Sequence, residues 1–240
     1  MRYLIAAALC AVVCFPAQAA TNGAPGIAEA YEVRINGETV WSDAADRRLP
    51  PASLTKLMTA LLVVGKYEPE AVATVSAHAA AATGSRLGLK TGDRIRVADL
   101  FAATLIGSAN DACRALAEWS HGSEEAFVRE MNLKAADLGL ESTHFVNACG
   151  FDAKGHYSTA GDLARLAEEA MREALIAEQV ARIDVHLTDA QGRREFRMPN
   201  RNALIGRYRG AIGVKSGFTA KAGKCLIALA QRGEVRVLLV

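Results

Sequence analysis

Apolar and polar residues alternate from Ile27 to Trp41, and Asn36-Gly37 interrupts the alternation; this predicts a hairpin of two short strands closed by a tight turn. After Pro50-Pro51 the period changes. Leu54, Leu57, Met58, Leu61 and Leu62 fall at i, i+3, i+4, i+7 and i+8, which predicts a helix from about Ser53 to Val64 with one buried stripe. The stretch from Val72 to Arg96, rich in Gly, Ala and Thr, predicts irregular chain or short strands. Helical patterns follow at Asp99–Ile106, Asp111–Ser120 and Glu124–Leu138, the first and third stopped by Gly107 and Gly139. Ser158-Thr159 predicts the cap of a fourth helix reaching about Ala174, and a fifth ends near Ile183. From Asp184 strands return, at Val185–Thr188, Glu195–Met198, Ile212–Gly217, Lys224–Gln231 and Glu234–Val240, with turns at Gln191-Gly192 and Arg232-Gly233. Strands at both ends with helices between them predict an α/β chain of the α+β kind. Its antiparallel sheet has neighbouring first and last strands, is flanked by helices and carries an inserted helical subdomain.

One apolar run stands outside this pattern. Arg2, the stretch Leu4–Phe15 and the small-x-small triplet Ala17-Gln18-Ala19 read as a signal peptide cleaved near Ala19, because the run is too short to span a bilayer. Residues 20–240 are then expected as one exported domain, periplasmic or secreted, with no transmembrane segment in the mature chain. Hydrophobic residues at 51% and charged residues at 22% exclude a wholly disordered chain. A formal charge of +2 argues against a nucleic-acid partner, which calls for a concentrated basic excess. Outside the signal, Cys113, Cys149 and Cys225 are odd in number and lack metal-ligand spacing, so neither a disulfide framework nor a zinc site is expected. They read best as buried free thiols, with a single bridge among the three left open.

Three short motifs carry the candidate chemistry. In Ser53-Leu54-Thr55-Lys56 the ordinary reading of Ser53 is a helix N-cap. That reading does not account for Lys56, since a capping box wants Glu or Gln there and the positive helix end disfavours a cation. The i, i+3 spacing puts both side chains on one face, and desolvation of the ammonium would lower its pKa, leaving a general base beside a nucleophile. Ser108-Ala109-Asn110 falls in the connection between two helices and by itself reads as capping. Lys215-Ser216-Gly217 lies on a late strand; the ordinary reading is a solvated lysine and a bulge or close approach at the glycine. The functional alternative has Gly217 admit a substrate strand to the sheet edge while Lys215 and Ser216 offer a cation and a hydroxyl to a carboxylate.

Together and in this order the three resemble the S-x-x-K, S-x-N and K-T-G boxes of the serine penicillin-recognising enzymes. The flanking runs Pro51-Ala52-Ser53-Leu54-Thr55-Lys56-Leu57-Met58-Thr59-Ala60, Ser108-Ala109-Asn110-Asp111-Ala112, Leu138-Gly139-Leu140, Thr143-His144-Phe145-Val146-Asn147 and His156-Tyr157-Ser158-Thr159-Ala160 narrow the resemblance. They are similar to the D-alanyl-D-alanine carboxypeptidases, the low-molecular-mass penicillin-binding proteins, and the likeness runs from about Ile27 to Val240. The resemblance implies a β-lactamase/transpeptidase-like fold and a serine peptidase that trims the terminal D-alanine from peptidoglycan stem peptides. It implies no cofactor and no metal, and β-lactams as covalent inhibitors. By the same resemblance Ser53 is the acylating nucleophile, Lys56 its base and Ser108 the proton relay to the leaving amine. Asn110 holds the substrate backbone, and Lys215 and Ser216 take the terminal carboxylate beside Gly217. The backbone N–H groups of Ser53 and Phe218 form the oxyanion hole.

Two positions depart from the family pattern: Ser216 stands where Thr is usual, and Cys149 where Pro or His usually precedes Gly150. Family members also continue past the last sheet strand with a helix packed on the sheet, so the domain 20–240 is expected to lack that helix. Gly217 to Cys225 looks like a phosphate-binding loop but has one spacer too many and Cys where Ser or Thr is required. The five histidines form no ligand pair and are expected mostly on the surface or in loops. A β-lactamase on the same scaffold is the nearest rival, and no E-x-x-L-N stretch supplies its deacylating glutamate. An endopeptidase acting on cross-links, or a non-catalytic peptidoglycan-binding protein, are the further alternatives.

Overall fold

The computed structural model describes residues 28–240, so the expected signal segment and its cleavage site lie outside the described residues. Strands β1 (Tyr31–Ile35) and β2 (Glu38–Asp43) form the predicted hairpin. Asn36 and Gly37 both take positive φ, +50° and +91°, the left-handed pair that a two-residue hairpin turn needs. Three strands close the chain: β7 (Ala211–Thr219), β8 (Gly223–Arg232) and β9 (Val235–Leu239). The sheet runs β2-β1-β9-β8-β7, antiparallel throughout, and Val33 stands opposite Leu239 where the two chain ends meet. The prediction that first and last strands are neighbours holds.

Between the ends lie β3 (Val72–Thr74) paired with β4 (Arg94–Arg96), and helices α1 (Lys56–Val64), α2 (Ala77–Ala80), α3 (Val97–Leu105), α4 (Asn110–His121), α5 (Glu124–Asp137), α6 (Ala160–Ala170) and α7 (Ala174–Ala181). Thr159 caps α6 by accepting from the Asp162 N–H at 3.1 Å, as its sequence position predicts. The one-turn α2, capped by Ser76, has too short a periodic run to be read from sequence. Two of the late strands, β5 (Asp184–Thr188) and β6 (Glu195–Pro199), leave the main sheet and pair with each other. Their alternating Val185, Leu187, Phe196 and Met198 are buried, and Met198 packs so tightly on Gly107 that a Cβ there would meet its sulfur at 2.5 Å. The hairpin thus covers the helical part.

The predicted first helix changes in two ways. Residues Ala52–Thr55 form a separate 3-10 turn, with Pro51 at its N-cap position and no side-chain capping bond, so Ser53 is not a cap and its hydroxyl is free for other work. And α1 is buried on nearly every side, because it runs between α3, α4, α5 and α6; only Leu61, Leu62 and Val64 are half-exposed along it. Phe101, Phe127 and Phe145 fill the surrounding core at 1% exposure or less, each contributing about 2–3 kcal/mol.

The expectation of three free thiols is corrected. Cys113 on α4 and Cys149 are joined in a disulfide with Cα atoms 6.0 Å apart, leaving Cys225 free. An odd count hides such a pair, and 36 residues separate the partners, so only the fold could match them. In chain-entropy terms a loop of that length contributes about 4 kcal/mol.

Candidate active site

The site forms where the 3-10 turn meets the edge strand β7. Register places Gly213, Lys215 and Gly217 on one face of β7, with Ile227 opposite Lys215. Gly213 packs against Val180 and Met171, and a Cβ on Gly217 would lie 2.8 Å from the Ser53 nitrogen. Gly217 is therefore a point of close backbone approach that brings strand and turn into contact. On the far side of the turn Gly150, at φ +87°, comes as close: a Cβ there would sit 1.9 Å from the Ala52 oxygen. Between them Ala52 is held at φ +48°, a conformation costly for a residue with a side chain.

Within this cradle Lys56 makes three contacts through Nζ: to Ser53 Oγ at 3.1 Å, Asn110 Oδ1 at 2.7 Å and the Cys149 carbonyl at 2.6 Å. Lys56 is fully buried while Ser53 is half-exposed. Its pKa is held well below the usual lysine range, first by burial and then by the charge of Lys215. Burial and Lys215 favour the neutral amine. In that form the amide and backbone oxygens, which accept only, take the two N–H bonds, and the lone pair remains for the Ser53 hydroxyl. Serine and lysine in this state can form an activated nucleophile for acyl transfer.

Lys215 is 1% exposed, which overturns the reading of a solvated strand lysine. It donates to the Ser216 carbonyl at 3.0 Å, and burial, followed by Arg201, lowers its pKa to about 7. Ser216 alternates to the other face and donates from Oγ to the Arg201 carbonyl at 2.9 Å. Phe218 follows on the same strand with its ring 69% exposed. Asn110, expected in a connection, is instead the first residue of α4, and it also donates to the Thr83 carbonyl at 2.6 Å. Ser108 is buried at φ +58° just before α4 and makes no side-chain hydrogen bond among the described residues. The fold thus bonds Ser53, Lys56 and Asn110 together, seats Lys215 and Gly217 on the face toward them, and leaves Ser108, Ser216 and Phe218 without a direct bond to Ser53 or Lys56.

Several contributors carried little sequence signal. The Cys149 carbonyl is a backbone group that no motif marks. Asn147 Oδ1 accepts from the N–H groups of Cys149, Gly150 and Phe151, folding the loop that presents this carbonyl. His156 lies in a loop, as most of the histidines are expected to lie on the surface or in loops, but it is buried behind the turn. Its Nδ1 accepts from the Val146 N–H at 3.0 Å, so Nε2 carries the proton and donates to Thr55 Oγ1 at 2.9 Å. Burial, then His144, pushes its pKa down to about 4. The run His156-Tyr157-Ser158-Thr159 was its only signal. Among the described residues no group of three or more His, Cys, Asp or Glu is placed to hold a metal ion. The near-match to a phosphate loop is the β7–β8 hairpin, with no helix to receive an anion.

An antiparallel sheet joining the chain ends, with helices inserted and a Ser-x-x-Lys pair facing its edge strand, is the fold of the DD-transpeptidases and penicillin-binding proteins. The chain belongs to the D-alanyl-D-alanine carboxypeptidase family, the S11 peptidases, whose pattern it matches over residues 33–240. It is 38% identical over 212 residues to D-alanyl-D-alanine carboxypeptidase DacF of Bacillus subtilis, covering 86% of this chain and 54% of that protein. With the D-alanyl-D-alanine carboxypeptidase of Streptomyces sp. K15 it shares 33% identity over 93% of this chain and 82% of the relative. The solved D-alanyl-D-alanine carboxypeptidase of Mycobacterium tuberculosis superposes with a TM-score of 0.82 at 30% identity, over 88% of this chain and 81% of that one. The chain spans about half the length of the first curated relatives it matches.

Proposed function

We propose that this chain is a serine-type D-Ala-D-Ala carboxypeptidase that removes the terminal D-alanine of peptidoglycan stem peptides. The observation that carries the reading is the contact set of Lys56, a buried amine with two acceptor-only partners and its third contact on Ser53 Oγ. In this reading Ser53 Oγ attacks the carbonyl of the penultimate D-alanine and passes its proton to Lys56. The oxyanion lies between the backbone N–H groups of Ser53 and Phe218. The terminal carboxylate meets Lys215 and Ser216 beside Gly217, with Arg201 adding positive charge nearby. Ser108 relays a proton to the departing amine, Asn110 holds the substrate backbone, D-alanine leaves, and water hydrolyses the acyl-enzyme. A β-lactam ring presents a similar amide and carboxylate, so it acylates Ser53 and stays, because the sequence has no E-x-x-L-N stretch to supply a deacylating glutamate. The reading includes export after cleavage near Ala19; among the described residues no helix is long and apolar enough to cross a membrane.

The test mixes the protein with a fluorescent penicillin and assays D-alanine release from a peptide ending in D-Ala-D-Ala. A long-lived adduct mapped to Ser53 and release of free D-alanine are expected. Ser53→Ala should abolish the adduct and lower D-alanine release at least about 10⁴-fold. Wild type that forms no adduct would sink the reading, rapid loss of adduct would favour a β-lactamase, and cleavage of cross-linked dimers alone an endopeptidase.

A further inference from the structure

Two of the three contacts of Lys56 come from segments that the disulfide joins. Asn110 lies three residues before Cys113, so one turn of α4 carries both, and the other acceptor is the carbonyl of Cys149 itself. The loop around Cys149 is fixed on each flank by other means. Ala148 donates its N–H to Glu124 at 2.9 Å and accepts from Thr59 at 2.5 Å, while Gly150 rests on the Ala52 carbonyl and Phe151 lies under Arg114. At residue 149 the covalent tie to α4 is the sulfur–sulfur bond, whose two residues are 0–1% exposed.

We infer that the Cys113–Cys149 disulfide is a positioning device for the base: it sets the Cys149 carbonyl and the Asn110 amide at a fixed separation, so that the lone pair of Lys56 stays aimed at Ser53 Oγ. The inference rests on the carboxypeptidase reading of Ser53 and Lys56 and adds a residue pair that touches neither substrate nor nucleophile. A neutral amine has two N–H bonds in fixed relation to its lone pair, so moving one acceptor rotates the lone pair away from the hydroxyl. Opening the bond takes two electrons and two protons from a dithiol, which leaves as its own cyclic disulfide and yields two cysteine thiols. The acceptor carbonyl is still present afterwards, and only its position is released.

The experiment compares oxidised wild type with the Cys113→Ala/Cys149→Ala double variant, which keeps both backbone carbonyls. Unfolding in denaturant is measured for each, and acylation by a fluorescent penicillin is followed at several concentrations. The expected result is a folded variant whose maximal acylation rate falls about 10- to 100-fold while its half-saturating concentration and labelled fraction stay at wild-type values. A merely structural bond would reduce the labelled fraction and leave the rate of the folded fraction alone; that result overturns the inference. Should the variant not fold, wild type folded with a dithiol and then reoxidised serves instead. Slow acylation before reoxidation and recovery after it are expected, and equal rates overturn the inference. A non-reduced digest must contain a Cys113–Cys149 linked peptide, and two free thiols there would also overturn it. Failure of oxidised wild type to acylate at all would defeat the carboxypeptidase reading and the inference together, whereas normal wild type with an equally fast variant defeats the inference alone.

Discussion

The two walls of the site are built differently. The helical wall holds Lys56 with three partners from three segments, braces the loop of Cys149 with Asn147, Glu124, Thr59 and a disulfide, and backs the turn with His156. The strand wall is sparse: Lys215 has one backbone acceptor, Ser216 another, and Phe218 is largely open to solvent. The difference fits a division of labour. A group that must keep a lone pair aimed at a hydroxyl 3.1 Å away needs many ties. A group that recognises a flexible peptide needs charge, an open edge and unsatisfied donors. Both lysines are buried, yet only one is enclosed by acceptors.

The contrast can be broken most severely at Lys56. Lys56→Ala should lower acylation by a penicillin about 10³-fold, in the range for loss of a general base, with the unfolding transition retained. A fall of less than about threefold would remove Lys56 from the role of base. Next comes the backing of the helical wall. His156 is buried neutral with its pKa lowered to about 4, so the unfolded chain takes the proton first on acidification. The stability this ring contributes is complete above its ordinary value of 6.5 and is lost as the pH falls through about 4, a total of about 3 kcal/mol. Urea unfolding at pH 7 and pH 4 reads this directly, and His156→Gln should shrink the difference. The same pH dependence in wild type and variant would assign it elsewhere.

The strand wall should yield the smallest effect, confined to recognition. Lys215→Ala should cost about 10- to 100-fold in kcat/KM for a peptide with a free terminal carboxylate, the scale of one charge-assisted hydrogen bond, and much less for the same peptide with an amidated terminus. Because the pKa of Lys215 is about 7, the ammonium is lost as the pH rises through that value. Affinity for the carboxylate peptide should therefore decline on the alkaline side in wild type and lose that dependence in the variant. Equal losses for acid and amide would show that Lys215 does not read the carboxylate.

Much of the site was legible because its spacing is local. Ser53 and Lys56 share a face through one helical turn, and Lys215 and Gly217 share a strand face two residues apart, so short motifs carry their geometry. Less was legible wherever burial decides the chemistry. A lysine on an edge strand reads as solvated until α7 and the 3-10 turn are seen to cover it. The effect of Lys215 on Lys56 joins residues far apart in sequence, and it appears only once β7 packs on the turn. His156 had no partner in sequence, since Thr55 lies 101 positions away.

By itself the sequence determined the order of the longer helices and strands, the antiparallel sheet with neighbouring chain ends, the family and the three motifs, because periodicity, turn chemistry and motif spacing are short-range properties. Only the tertiary structure decided that Ser53 sits in a 3-10 turn with its hydroxyl unspent, that Cys113 pairs with Cys149, and that a backbone carbonyl completes the surroundings of Lys56. It also decided that β5 and β6 leave the sheet to cover the helices. The physical reason is common to all four. Desolvation, close packing and the pairing of distant groups depend on which surfaces meet, and those contacts do not exist until the chain has folded.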